Sequence, residues 1–139
     1  MARQAILAAL GAILAIEATA IAQVSEEREN RFHDPFFQVA AALPDCPEPV
    51  GPRITIQEQR MQAHHRAERG TSCWLHGQCE RPNAYEYDQV IATALERRWS
   101  SEAPLPRSTL WVTIQGRTVY FEGCVEQPGA AAQLERFAR

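Results

Sequence analysis

Residues 110–125 read LWVTIQGRTVYFEGCV, and this stretch decides the fold. Apolar and polar residues alternate on both sides of Gly116-Arg117. Alternation with a period of two over this length is the pattern of a β-hairpin with one buried face. A two-residue connection with Gly first predicts a type II′ turn, which needs positive φ at that position. Reversal at Gly116-Arg117 sets Gln115 opposite Thr118, Ile114 opposite Val119, Val112 opposite Phe121 and Leu110 opposite Gly123. The last three pairs lie on one apolar face. The other face carries Trp111, Thr113, Tyr120, Glu122 and Cys124. A slip of one residue would turn Thr and Glu into the core, so the register is well specified.

Helices flank this hairpin. Tyr87, Val90, Ile91, Ala94, Leu95 and Trp99 recur at three- and four-residue steps, which predicts a helix beginning near 84–88 and running to about Trp99. Residues 100–107, with Pro104 and Pro106, are a linker. Beyond the hairpin, Pro128 opens a last helix with Ala131, Leu134, Phe137 and Ala138 on its apolar face. Further upstream, Thr55 and Glu58 form a capping box for a helix over 56–69, stopped by Gly70. Its apolar stripe (Ile56, Met61, Ala63, Ala67) is thin, so it needs partners or lies exposed. Asp34-Pro35 reads as an N-cap followed by a first-turn proline. That predicts a short helix over 35–43 burying Phe36, Phe37 and Ala40. Residues 23–33 are charged and read as a mobile leader. Residues 44–52 are rich in Pro and Gly and must be irregular. Residues 71–83 read as a loop whose Trp74 and Leu75 plug onto the domain.

The first residues look like a targeting segment. Met1 to Gln4 is a short basic stretch, 5–16 is apolar, and Ala20-Ile21-Ala22 supplies small residues for cleavage before Gln23. No other apolar run is long enough to cross a bilayer. The remainder is the size of one small domain. All basic residues are Arg, and the formal charge of the 139-residue chain is −3. A nucleic-acid binder would need a concentrated basic face, and there is none. The surplus of acid also argues against purely electrostatic attachment to anionic lipid.

Cys46, Cys73, Cys79 and Cys124 all fall in the exported part. An even count in an oxidising compartment reads as two disulfides, with three possible connectivities. Short spacing selects Cys73–Cys79, which leaves Cys46–Cys124. The second bridge would tie the N-terminal segment over the hairpin face that carries Trp111 and Tyr120.

From Asp88 to Arg139 the chain reads helix, strand, strand, helix, and it resembles a BON domain, a small module of bacterial envelope proteins. The residues that carry the resemblance are Val90, Ile91, Ala94 and Leu95, then Val112 and Ile114. The tight turn, Val119-Tyr120-Phe121-Glu122-Gly123, and a second helix ending Phe137-Ala138-Arg139 complete it. The resemblance implies a non-catalytic periplasmic module that binds phospholipid or envelope components. The family has no established catalytic residues, so no site is transferred. Two features depart from its pattern: Gly-Arg stands at the turn in place of Asn-Gly, and no third strand follows the last helix. N-terminal structure or a partner chain would have to supply that strand; otherwise a sheet edge stays open.

Other chemistry is thinly represented. His64, His65, Cys73, His76 and Cys79 lie near one another in sequence, but their spacing fits no common zinc motif and export favours oxidised sulfur. Ser72 and Cys73 near His76 read as ordinary loop residues rather than a nucleophile and its base. No catalytic, cofactor or metal residues are assigned. Trp74, Trp99, Trp111 and Tyr120 are read first as core; exposed together, they would form an aromatic binding face.

The expectation is an α+β protein with helices packed on one face of a small antiparallel hairpin. Its divisions are a signal peptide over 1–22, a leader and Pro-rich linker over 23–53, a helix plus disulfide loop over 54–83, and an αββα BON-like domain over 84–139. The function it implies is lipid- or membrane-surface association in the periplasm, without catalysis. The alternative is a protein-interaction module that pairs an open sheet edge with a partner.

Overall fold

A computed structural model describes residues 26–139. The targeting segment at 1–22 lies outside the described residues. The chain runs β1 (Phe36–Ala41), α1 (Ile56–Glu68), α2 (Thr71–Leu75), a 3-10 turn (Ala84–Tyr87), α3 (Asp88–Glu102), β2 (Ser108–Gln115), β3 (Thr118–Val125) and α4 (Ala130–Ala138). It is an α+β fold on an antiparallel sheet of order β1-β2-β3.

The hairpin forms in the register its alternation dictates. Gln115 pairs with Thr118, Ile114 with Val119, Val112 with Phe121 and Leu110 with Gly123. The turn itself differs from type II′. Gly116 and Arg117 both have positive φ, 57° and 68°, which is the type I′ pattern. Arg117 therefore bears a backbone conformation that costs a branched or bulky residue energy. Gly123 is required for another reason: a Cβ there would stand 2.2 Å from the carbonyl oxygen of Thr109.

The third strand comes from the N-terminal segment. Residues 35–43 form no helix; Phe36–Ala41 pair antiparallel with β2, Phe37 against Val112 and Ala40 against Leu110. The capping signal at Asp34-Pro35 misleads because Asp34 serves another purpose. Its carboxylate is buried and ion-paired to Arg66. Pro35, which has no N–H to give a ladder, sits just before the strand, and its carbonyl accepts from Ile114 N–H at 3.1 Å. The leader is also engaged further back, where Glu29 bridges Ile54.

One face of the sheet holds the core. Leu110, Val112 and Ile114 pack against Ala92, Leu95 and Trp99 of α3 and against Ala130, Leu134 and Phe137 of α4, with Leu105 below. Trp99 meets Phe137 edge to face at 5.3 Å and Phe121 at 6.1 Å. α3 extends to Glu102, three residues past Trp99 into the expected linker.

The opposite face is covered in part by residues 44–52, and Tyr120 of β3 stays exposed on it. Cys46 is bonded to Cys124 on β3, and Thr109 Oγ1 accepts from Leu43 N–H at 2.7 Å. Trp111 is buried there. The second bridge, Cys73–Cys79, closes the loop that carries α2. That loop is helical over Thr71–Leu75, and Trp74 and Leu75 do not plug onto the domain; they are 45% and 69% exposed. Both bridges fit an oxidising, exported location.

α1 has the expected capping box at Thr55 and Glu58. Ile56 and Met61 stay exposed. What anchors the helix is Arg66, whose guanidinium grips Asp34 and lies over the rings of Phe32 (4.0 Å) and Tyr85 (3.7 Å). Among the described residues, no helix is long and apolar enough to cross a membrane.

Candidate binding groove

A sheet of three strands has two edges, and they are not equivalent. β1 is six residues long, follows Pro35 and is bulged between Gln38 and Ala40. Proline and bulges are devices that discourage pairing at an edge. β3 is eight residues long, with no proline and an unbroken register against β2. Its outer side is the open edge.

The turn determines which backbone groups face outward. Residues flanking a two-residue turn exchange both of their hydrogen bonds, and the pattern then alternates along the ladder. Thr118, Tyr120 and Glu122 therefore bond to β2. The N–H and C=O of Val119 and Phe121 point away from it. Among the described residues, no hydrogen bond from outside the hairpin reaches them.

α4 stands beside this edge. Leu134 and Phe137 turn into the core, four and seven residues on from Ala130. Ala131 and Ala138, on the helix flank, remain exposed. Between that flank and β3 lies a groove of about 610 Å³. Val119, Phe121, Ala131, Leu134 and Ala138 give it an apolar lining. The side chains on the groove and the unpaired peptide groups on the edge thus belong to the same two residues, Val119 and Phe121.

Charge is placed at the turn end. Arg117 and Arg139 both line the groove, but Arg139 is paired with Glu135 at 2.6 Å. Arg117 is exposed and pairs with no carboxylate among the described residues. Its guanidinium is 3.7 Å from the sulfur of Cys79 and 5.6 Å from the Tyr87 ring. The turn that presents it is clamped from below. Buried Asp88 accepts from the N–H of Gly116 (2.6 Å) and of Arg117 (2.7 Å). Burial pushes its carboxyl above the usual Asp range, against the pull of those two donors. Gln115 donates to Asp34 at 2.6 Å, so the Asp34–Arg66 pair grips the last residue of β2 as well. This arrangement makes a half-apolar slot whose turn end carries Arg117, a cation without a carboxylate partner among the described residues. It can hold a chain; it presents no nucleophile with a base.

The four aromatic residues singled out from the sequence do not form one face, although Trp111 and Tyr120 stand on the same side of the sheet. Trp99 lies in the helix-side core and Trp111 is buried on the opposite side of the sheet. Trp74 and Tyr120 are exposed, on α2 and β3 respectively. The cysteines near His64, His65 and His76 are oxidised in pairs, and His76 Nδ1 lies 2.7 Å from the Ser72 carbonyl. Sequence reasoning missed Arg117, Asp34, Arg66 and Asp88. Asp88 could have been suspected, since it stands ahead of a strongly apolar helix face; Asp34 carries a local signal only for a helix cap, and Arg66 and Arg117 carry none.

These features define a small disulfide-braced α+β domain with an edge-strand groove. No family model, curated protein or solved structure matches the chain.

Proposed function

We propose that the protein is a non-catalytic exported domain that receives an extended segment of another envelope protein as a fourth strand beside β3. The observation that carries this reading is the coincidence of unpaired peptide groups and apolar lining at Val119 and Phe121. Main-chain bonds to an edge supply affinity in strand addition, and pockets for alternate side chains supply selectivity. The compartment is the periplasm, in keeping with the two disulfides and the apolar N-terminal stretch.

The test is binding of fluorescent extended peptides to wild type and to Ala138→Trp, which fills the groove from an exposed position. Wild type should bind at micromolar concentration and Ala138→Trp at least tenfold more weakly. Equal binding by the two would remove the groove from the account.

A second reading, association with a phospholipid surface, is favoured by the resemblance to a BON domain and by one separate observation. Trp74 and Leu75 project from a disulfide-closed loop, and exposed apolar side chains of this kind suit a membrane interface. Co-sedimentation with vesicles of phosphatidylethanolamine and phosphatidylglycerol at physiological salt tests it. Pelleting that is lost in Trp74→Ser/Leu75→Ser supports lipid contact, and no pelleting with wild type removes it.

A further inference from the structure

The groove has a direction, and that direction restricts what fills it. β3 begins at the Arg117 end and runs away from it. A strand added antiparallel to β3 therefore runs toward Arg117 and finishes beside it. A strand added in parallel would begin there, bringing an amino group or a chain start to a guanidinium. Arg117 is the cation at that end without a carboxylate partner among the described residues, since Arg139 is engaged by Glu135. Positive charge favours the carboxylate end of a chain over the amino end.

Register narrows the choice further. The outward peptide groups belong to Val119 and Phe121. A bound residue opposite either of them turns its side chain to the same face as theirs, which is the face lined by Ala131, Leu134 and Ala138. Residues between those positions face away. A bound chain whose last residue lies opposite Val119 places its terminal carboxylate one step further on, beside Thr118 and Arg117.

We propose that the segment captured at β3 is the free C-terminus of a partner protein, bound antiparallel, with apolar side chains at its last and third-last residues and its α-carboxylate on Arg117. This rests on the strand-capture reading and adds the chain end, polarity and spacing. The Asp88 clamp under the turn supports it. Asp88 holds the two N–H groups of Gly116-Arg117, and the Cys73–Cys79 loop lies against the Arg117 guanidinium. The backbone that carries the charge is thus fixed, which reduces the ordering cost of binding.

The experiment uses full-length mature protein and an array of acetylated octapeptides. These carry Val, Ile, Leu or Phe at alternate positions with Ser or Thr between, each made once with a free C-terminal carboxylate and once as the amide. The expected result is retention of carboxylate peptides at least tenfold tighter than their amides, with apolar residues required at the last and third-last positions. In Arg117→Asn, which removes the charge and tolerates positive φ at the turn, the acid-to-amide ratio should fall toward one. Equal binding of acids and amides to wild type would overturn the terminal-carboxylate assignment while leaving strand capture intact. Retention of neither set would overturn both. An acid preference that survives in Arg117→Asn would move the carboxylate to another cation and refute this site.

Discussion

At the scale of single residues, the buried polar groups separate into satisfied and unsatisfied. Thr113 Oγ1 is buried with no hydrogen-bond partner among the described residues. A buried hydroxyl without a partner costs about 1–3 kcal/mol, and Val has nearly the same shape and the same β-branching. Thr113→Val should therefore raise stability by about 1 kcal/mol in urea unfolding; a loss of that size would mean the hydroxyl has a partner. Asp88 is the opposite case, because it answers two peptide N–H groups. Asp88→Ala orphans both and should cost about 2–4 kcal/mol, with Asp88→Asn costing less because its amide oxygen still accepts one bond. The pH dependence follows from the raised carboxyl. The folded state holds that proton more tightly than the unfolded chain does, so stability falls as pH rises from the ordinary Asp range through the raised value. The wild-type advantage over Asp88→Asn should be largest at the acid end of that window and shrink above it. An advantage that grows with pH would show that the two N–H bonds outweigh burial.

At the scale of elements, legibility depended on how local the cause was. The hairpin register was readable because one face is continuously apolar and a slip would bury Thr113 and Glu122 in the core. The capping box at Thr55 was readable because both of its bonds are made within four residues. The strand at Phe36–Ala41 was not, because its partner lies some seventy residues away on β2 and the helix-start signal at Asp34-Pro35 is local. Long-range pairing overrode local preference there. The turn type was half readable: Gly116 announces positive φ, while nothing in Arg117 does. Of the groove, the residue pattern indicates only an open sheet edge, since the lining depends on where α4 lands.

The two disulfides also differ at this scale. Cys46–Cys124 spans 78 residues and Cys73–Cys79 spans 6. In the chain-entropy model the first stabilises by about 4–5 kcal/mol and the second by about 2 kcal/mol. Removing Cys46 and Cys124 together as Ser should lower the melting temperature more than removing Cys73 and Cys79 together. It should also release residues 44–52 from the Trp111 face. The reverse order would mean that this loop is held by packing and that the short loop organises the turn end.

At the scale of the whole molecule, the described residues form a three-stranded sheet with one face packed against α3 and α4, the other partly covered by a proline-rich loop, and one edge blunted. Among the described residues, what remains open is β3, with α4 set back far enough to leave a slot. An edge of this length left bare is an aggregation hazard unless something occupies it, and selective occupancy is the function argued for it. The alternation of bonded and free peptide groups along β3 is therefore the central claim. Native-state amide hydrogen exchange by NMR tests it most directly. Tyr120 and Glu122 should be strongly protected in the free protein, while Val119 and Phe121 exchange at least a hundredfold faster and slow down when a peptide binds. Equal protection at all four positions without peptide would mean that the edge is already paired, and the groove would not be the binding site.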